Sequence, residues 1–256
     1  MITAAAICPC PPLLARELAG QAEVLPELRA ACAAAVRRLL ASAADLIVVT
    51  GADRGTASWP ADGWLDVSWW APALSTTAHR TASAAGASAA GAAGRGPALP
   101  LSLGLGARLL DEAGYLGPRA YQAIAARALP ADCLRLGAEL ARSAPRTALL
   151  AMGDGSARRS ERAPGHLDER AAPFDAAVER AVRDADLAAL AALDPGLAAE
   201  LLATGRPGWQ VLAGALGGDP VGAGAGRLAA EILYGDAPLG VGYLVAVLGP
   251  GEPGPG

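Results

Sequence analysis

Two cysteines flank a proline near the start of the chain, in the segment CPCPP at residues 8–12. Thiolates bind soft metals, so Cys8 and Cys10 predict either a pair of ligands for zinc or copper or a reactive thiol beside a pocket. The pair supplies only two ligands, whereas structural zinc takes four. The alternative is that two small side chains fill a tight proline turn. Cys10 is the main candidate for a chemical role.

Two further polar segments follow apolar stretches. TGADRG carries Asp53 and Arg54, which predict either a carboxylate and a guanidinium facing an anionic ligand or an internal ion pair. Asp53 is also a weak candidate metal ligand. GDGSARRS carries Asp154 and Ser156, whose side chains are typical of turns that bond the backbone amides of a neighbouring loop. Arg158 either binds a phosphate or carboxylate or remains a solvated surface charge.

The elements that position these segments alternate between strand and helix patterns. ITAAAI predicts a buried strand, ELRAACAAAVRRLLASA an amphipathic helix, and DLIVVTGAD and TALLAM further buried strands. Strand, helix and strand in this order predict parallel β-α-β units. We therefore predict an α/β fold, a single domain with a central, mostly parallel or mixed sheet flanked by helices. Ligands of such sheets collect where strands end, which is where all three polar segments lie.

The other elements are predicted less sharply. YQAIAARALP predicts a strand, LPLSLGLGARLLDEAGY a strand that turns into a helix, and GVGYLVAVL a last strand; a strong helix is expected from about Phe174 to Leu187. The predicted domain spans residues 1–248 and includes an Ala/Gly/Ser-rich, low-complexity loop at about 82–97. Residues 249–256, rich in Gly and Pro, are expected to form a disordered tail.

Composition narrows the class of protein. All 21 basic residues are arginines and the net charge is -4, without a basic cluster, so no nucleic-acid partner is expected. The N-terminus lacks the charged segment and the length of a signal peptide, and no apolar run is long enough to span a membrane. A cytoplasmic protein with no membrane partner is therefore predicted.

Together, the loop order and two long segments carry a family resemblance. The sequence resembles the class III extradiol ring-cleavage dioxygenases. The resemblance is carried by the stretch that runs from GDGSARRSERAPGHLDERAAPFDAAVERAVRDADLAAL to GWQVLAGALGG and by the closing LYGDAPLGVGYLVAVL. The sequence also resembles an alanine-rich actinobacterial branch of that superfamily. The resemblance covers most of residues 1–248. It implies the α/β fold of that family and an Fe(II) site with two histidines and a carboxylate, together with an acid/base histidine.

The histidines that the resemblance implies are missing from their motifs. Cys10 occupies the place of the first metal histidine, the stretch at 50–54 contains no second one, and Ala157 replaces the acid/base histidine. The chain has two histidines, His79 and His166, both outside these loops. His166 either belongs to a surface loop or lines the pocket. Glu231 and Asp236 lie near the last strand, and the sequence does not assign the family's carboxylate ligand to either of them.

These absences predict a protein of that fold that is not a dioxygenase and acts as a binding or interaction protein. The alternative is a metal-dependent oxidoreductase with an altered site built on Cys10 and carboxylates. A third hypothesis is a noncatalytic subunit of a larger oxygenase. The expected partners are a small molecule in the ancestral pocket and a second copy or another protein. The expected cofactors are none, with Fe(II) in the resembling family and zinc or copper as possibilities through Cys10.

Overall fold

Seven strands form one mixed sheet with helices packed on both of its faces. The structure is a computed structural model and describes residues 1–19, 24–67, 96–217 and 228–251. The sheet and its helices confirm the predicted α/β fold class. The described strands are β1 (Ile2–Cys8), β2 (Leu46–Asp53), β3 (Ala57–Trp59), β4 (Trp64–Leu65), β5 (Ala98–Leu99), β6 (Arg119–Ala125), β7 (Thr147–Met152), β8 (Leu228–Asp236) and β9 (Tyr243–Pro250).

The strand order of the sheet is β3-β6-β2-β7-β1-β9-β8. The central strands β6, β2, β7 and β1 are mutually parallel, as their Val/Ile/Ala-rich sequences predict. β3 pairs antiparallel with β6 at one edge, and β9 and β8 add antiparallel strands at the other. As a result, the carboxyl ends of β1, β2 and β7 meet at one edge of the sheet, next to the start of β9 and the end of β8.

The helices form two layers that sandwich the sheet. Leu28, Val36 and Leu39 pack with Leu103 and Leu110 on one face. On the opposite face, a second apolar cluster is built around helices that follow β7. The described helices are α1 (Arg16–Ala19), α2 (Pro26–Ala41), α3 (Leu101–Glu112), α4 (Pro130–Leu140), α5 (Ala171–Arg183), α6 (Leu187–Ala191), α7 (Pro195–Glu200) and α8 (Arg206–Gly217), with a 3-10 turn at Pro12–Leu14.

Most predicted elements are present, with corrections at their ends. The single helix expected from Phe174 to Leu187 is instead two helices, because Ala185 adopts a left-handed conformation with φ of 52° and ends the first one. β9 continues past the expected domain end at 248, because Pro250 pairs with Leu228 of β8. The sequence did not predict β8. Most of the low-complexity loop, His79 and the last five residues lie outside the described residues.

No helix in the described ranges combines the length and the apolar character that a membrane crossing requires.

Helices α4 and α8 approach each other so closely that glycine is required at the crossing. A Cβ atom added to Gly214 would lie 2.2 Å from the backbone oxygen of Leu134, and one added to Gly137 would lie 2.0 Å from that of Val211. Backbone atoms cannot yield as a flexible side chain can. The two glycines therefore set the position of α8, which carries Trp209 and Arg206.

Gly214→Ala is expected to lower the free energy of unfolding by about 1–2 kcal/mol, because the overpacking cost exceeds the helix propensity that alanine adds. Gly208→Ala is the matched control on the same helix. Its Cβ atom would lie 3.8 Å from its nearest neighbour, the backbone oxygen of Met152, which is an ordinary contact. We expect this control to be neutral or slightly stabilising in urea unfolding. Equal stability of the two variants would contradict the close crossing of α4 and α8.

Candidate functional site

The loops after β1 and β7 meet at the carboxyl edge of the sheet. Cys8 and Met152 are paired at the ends of these parallel strands, and the backbone N–H of Gly153 donates to the carbonyl of Cys8 at 2.9 Å. A Cβ atom on Gly153 would lie 2.4 Å from the Cα of Gly205, so the loop is also pressed against the start of α8. This packing places CPCPP beside GDGS, although the two segments are far apart in sequence.

Cys10 and Asp154 form the central contact of this edge. The backbone N–H of Cys10 donates to Asp154 Oδ1 at 2.7 Å, and its thiol donates to Asp154 Oδ2 at 3.7 Å. The N–H of Asp154 donates to the Thr204 hydroxyl at 3.0 Å, and the N–H of Gly205 donates to the Asp154 carbonyl at 2.8 Å. Asp154 thus bonds a backbone amide of the neighbouring loop, as the sequence predicts, and ties three segments together.

Burial favours the protonated forms of both side chains. It raises the pKa of the Cys10 thiol well above its usual value, and the nearby Asp154 carboxylate raises it further. Burial also raises the pKa of Asp154 to about 6, although the two hydrogen bonds from Cys10 oppose this shift. At neutral pH, Cys10 is therefore a neutral thiol that donates a hydrogen bond, and it lacks the thiolate form that a nucleophilic cysteine needs.

Cys8 has a different environment from Cys10. It is fully buried in the core, and its thiol interacts with that of Cys32, which raises the pKa of Cys8 well above its usual value. The two cysteines of CPCPP therefore have different partners, and the structure gives no indication that they act as a ligand pair.

The residues at this edge do not fit an iron site of the extradiol type. Such a site needs two neutral imidazoles and a carboxylate, and the described part of the chain contains a single histidine, the exposed His166. Asp53 lies at the end of β2, where its carbonyl accepts the N–H of Ala126 at 2.9 Å. In the described part of the chain its carboxylate has no hydrogen bond, and no three His, Cys, Asp or Glu side chains are grouped closely enough to hold a metal. Arg54, next to it, is exposed.

Ser156 belongs to a second cluster that fixes the GDGS turn onto α5. It is fully buried, and both its N–H and its hydroxyl donate to Asp175, at 2.8 and 2.7 Å. Arg159 donates to the same carboxylate at 3.0 Å. A Cβ atom on Gly155 or Gly242 would collide with Asp175. Asp175 is therefore enclosed and fully paired, and its role is to hold the turn.

Arg158 and His166 lie in the loop that follows. Arg158 is partly buried, and its Nε atom has no hydrogen-bond partner among the described residues. His166 is exposed and adopts a left-handed conformation with φ of 58°, with its N–H donating to the carbonyl of Ala163. Its position matches the surface-loop alternative more closely than the pocket alternative.

A cavity of about 140 Å³ lies at the same edge, on the side of α5 and α8. Asp236, considered above as a carboxylate ligand, lines it; the pocket candidates in the three polar segments do not, but their neighbours Gly155 and Arg159 do. The walls come from the GDGS turn, α5, α8 and the adjoining ends of β8 and β9. The lining residues are Gly155, Arg159, Ala172, Asp175, Ala176, Val178, Glu179, Trp209, Gly235, Asp236, Gly242, Tyr243 and Leu244.

Two aromatic residues of this cavity were missed by the sequence analysis. Trp209 is 1% exposed, on α8, and its ring is held over Gly205, where a Cβ atom would lie 2.2 Å from the indole. Tyr243 begins β9, and burial raises its pKa above the usual value, with a further contribution from Asp154 and Cys10. Tyr243 therefore lines the cavity and is also close enough to Asp154 and Cys10 to interact with them electrostatically. The sequence signal that could have indicated it is the GVGY turn before the last strand.

No family model matches the sequence, and no curated protein matches it. Among solved structures, the chain is similar to that of the uncharacterized protein JW3007 from Escherichia coli K12, with a TM-score of 0.53 and 14% sequence identity. The similarity covers 96% of this chain and 99% of that chain. At this identity the likeness shows a shared α/β fold and no more.

Proposed function

We propose that this protein binds a small molecule and is not a dioxygenase, on a fold of the class III extradiol dioxygenase type. The observation that carries the proposal is the Cys10–Asp154 contact. Cys10 stands where the resembling enzymes place a metal histidine, and its N–H and thiol both bond Asp154. Each of these two residues is a hydrogen-bond partner of the other. The contact therefore supports a structural role for the pair at the strand ends in place of an open metal site.

The missing histidines support the same conclusion. Ring cleavage needs an acid or base near the substrate, and the residue at that place, Ala157, has no titratable side chain. Its N–H donates to the carbonyl of Leu201 at 2.9 Å, which ties the loop down. The described residues at this edge thus form hydrogen bonds that stabilise the loops. The histidines that the extradiol reaction requires are absent from the corresponding motifs of this sequence.

The neighbouring cavity supports a binding function. Concave, partly apolar sites with a few convergent polar groups are the usual binding sites of small molecules. This cavity is lined in part by the apolar side chains of Val178 and Leu244 and by the charged groups of Arg159 and Asp236. It also lies at the carboxyl edge of the sheet, where ligands of α/β proteins bind.

The test is a catechol-cleavage assay after anaerobic loading with Fe(II), followed by metal analysis of the desalted protein. We expect less than 0.1 equivalent of iron, roughly the level of nonspecific binding, and no formation of ring-opened product above the rate of free Fe(II) in buffer. Parallel loading with Zn(II) and Cu(I) should leave the melting temperature unchanged.

Stoichiometric iron together with ring cleavage would overturn the proposal. Stoichiometric zinc or copper that is lost in Cys10→Ser, but kept in the matched variant Cys133→Ser, would favour the altered-site oxidoreductase. Cys133 is a suitable control, because it is buried in a separate apolar cluster with Ile124 and Val211.

A further inference from the structure

We propose that the outer edge of β8 pairs with β8 of a second copy of this chain and so joins the sheets of two copies into one continuous sheet. The proposal concerns an interaction surface and does not depend on the proposed function. Three features of β8 support it: an unpaired backbone edge, a self-complementary apolar face and a charge pattern that favours one symmetric register.

β8 is the long edge strand of the sheet. It has nine residues and pairs with β9 on one side, and no strand in the described part of the chain pairs with its other side. The strand at the opposite edge, β3, has only three residues. A free strand edge presents a row of N–H and C=O groups that another strand can bind, and proline or lysine commonly protects such an edge. The segment at 228–236 contains neither.

A bulge confines the regular part of this edge to five residues. The register between β8 and β9 is continuous over residues 228–232 and shifts between Ile232 and Tyr234. A bulge bends its strand and disrupts the hydrogen-bond ladder. A strand that adds to this edge would therefore pair with LAAEI, residues 228–232.

The apolar side chains of this segment match one another in the antiparallel direction. Leu228, Ala230 and Ile232 share one face of the strand, and each stays partly exposed although it packs against the apolar cluster on the α5 side of the sheet. A two-fold axis through Ala230 places Leu228 opposite Ile232 of the second copy. Apolar cross-strand pairs of this kind stabilise a sheet, and they would cover the exposed parts of these residues.

The charges select this register among the symmetric ones. A two-fold axis perpendicular to the sheet keeps the faces of both copies aligned, so the axis passes through a residue. An axis through Glu231 would set two carboxylates directly opposite each other, which is destabilising. An axis through Ala229 would pair only residues 228–230. An axis through Ala230 pairs all five residues and places Glu231 opposite Ala229, whose small side chain leaves room for the ion pair between Glu231 and Arg38, at 2.5 Å.

The symmetry of the segment points to a second copy as its partner. The segment is branched and apolar at both ends and small at its centre, so it complements its own sequence. Closed two-fold contacts between identical patches are the commonest contacts in soluble oligomers. Helices α2 and α5 pack on opposite faces of β8 and would approach their own copies on the two faces of the joined sheet.

The experiment is sedimentation equilibrium of the full chain at about 1 to 100 μM, the range in which a small interface dissociates. We expect a reversible shift from one chain of 25.4 kDa to about twice that mass. Ala229→Glu, at an exposed position, sets a carboxylate opposite Glu231 at both symmetric places and should weaken the dimer about tenfold. Ala229→Arg sets opposite charges there and should strengthen the dimer several-fold.

Ala57→Glu is the matched control. Ala57 is also an exposed alanine on an edge strand, β3, but at the opposite edge of the sheet. This variant should dimerise like the wild type. In about 1 M NaCl the two Ala229 variants should become more alike, because salt screens the charges at this exposed position.

A monomer across the whole concentration range would overturn the inference. A dimer of equal strength in the wild type and both Ala229 variants would show association through another surface and would also overturn it. Equal weakening in Ala57→Glu, or a species larger than a dimer, would contradict a closed pair of β8 strands. None of these results bears on the proposed function, which fails separately, through ring cleavage by the iron-loaded protein.

Discussion

Replacing Arg206 with methionine is expected to lower the free energy of unfolding by about 2–4 kcal/mol, because it leaves buried acceptors without a donor. Arg206 is 1% exposed, and its guanidinium donates to the carbonyls of Ala128 and Ala126 at 2.7 and 2.6 Å. It also donates to Gln210 Oε1 at 2.9 Å. Methionine fills similar space but offers no N–H. The melting temperature should fall by about 5–12 °C.

The loss should be structural, since Arg206 and Gln210 bind α8 to its surroundings. Gln210 is fully buried and donates to the carbonyls of Ala191 and Leu193, at 3.0 and 2.9 Å. The control is Arg127→Met, which makes the same change at an exposed arginine in the adjacent loop. Urea unfolding should show the control within about 0.5 kcal/mol of the wild type. Similar losses in the two variants would contradict the buried role of Arg206.

Asp154 is expected to make the stability fall as pH rises from about 4 to about 6. Its folded pKa is about 6, above the ordinary value of 3.8. Between these pH values the folded protein keeps a proton that the unfolded chain has released, so each rise in pH favours unfolding. The full effect is about 1–3 kcal/mol, since one pKa unit corresponds to about 1.4 kcal/mol and part of the residue meets solvent. Above about pH 7 the effect is constant, because the carboxyl is then ionised in both the folded and the unfolded state.

Asp154→Asn removes this dependence, since an amide does not titrate and its oxygen still accepts the N–H of Cys10. Relative to the wild type, the variant should gain about 1–3 kcal/mol in free energy of unfolding between pH 4 and pH 7. Asp184→Asn, measured in the same urea series, should show no such shift. A constant difference between wild type and Asp154→Asn across this range would show that Asp154 is not held protonated.

The sequence predicts the fold well where apolar patterns are strong. The buried strands that end at Cys8, Asp53 and Met152 and the amphipathic helix around Cys32 form as their periodicity indicates. β8 was missed because its exposure alternates weakly along Leu228–Asp236, which gives little contrast between its faces. Such a strand forms because it pairs with β9, and this tertiary contact cannot be inferred from the local sequence pattern.

The candidate site is predictable only in part. The rule that loops gather at the carboxyl edge correctly brings Cys10 beside Asp154. The cavity residues could not be inferred, because the crossing of α8 and the end of β9 place Trp209 and Tyr243 there through long-range packing. In a chain whose basic residues are all arginine, the buried Arg206 also could not be told apart from the exposed Arg127.

The most direct test of the proposal that Cys10 and Asp154 form a proton-holding pair in place of an iron site is a carboxyl ¹³C NMR titration. The Asp154 resonance is assigned by its loss in Asp154→Asn, and the titration is run anaerobically without metal and with equimolar Zn(II) or Fe(II). We expect a midpoint near pH 6, as burial of the carboxyl implies, unchanged by either metal. A midpoint that zinc lowers below about pH 4, or a resonance broadened by stoichiometric Fe(II) at neutral pH, would contradict it, because a bound metal competes with the proton.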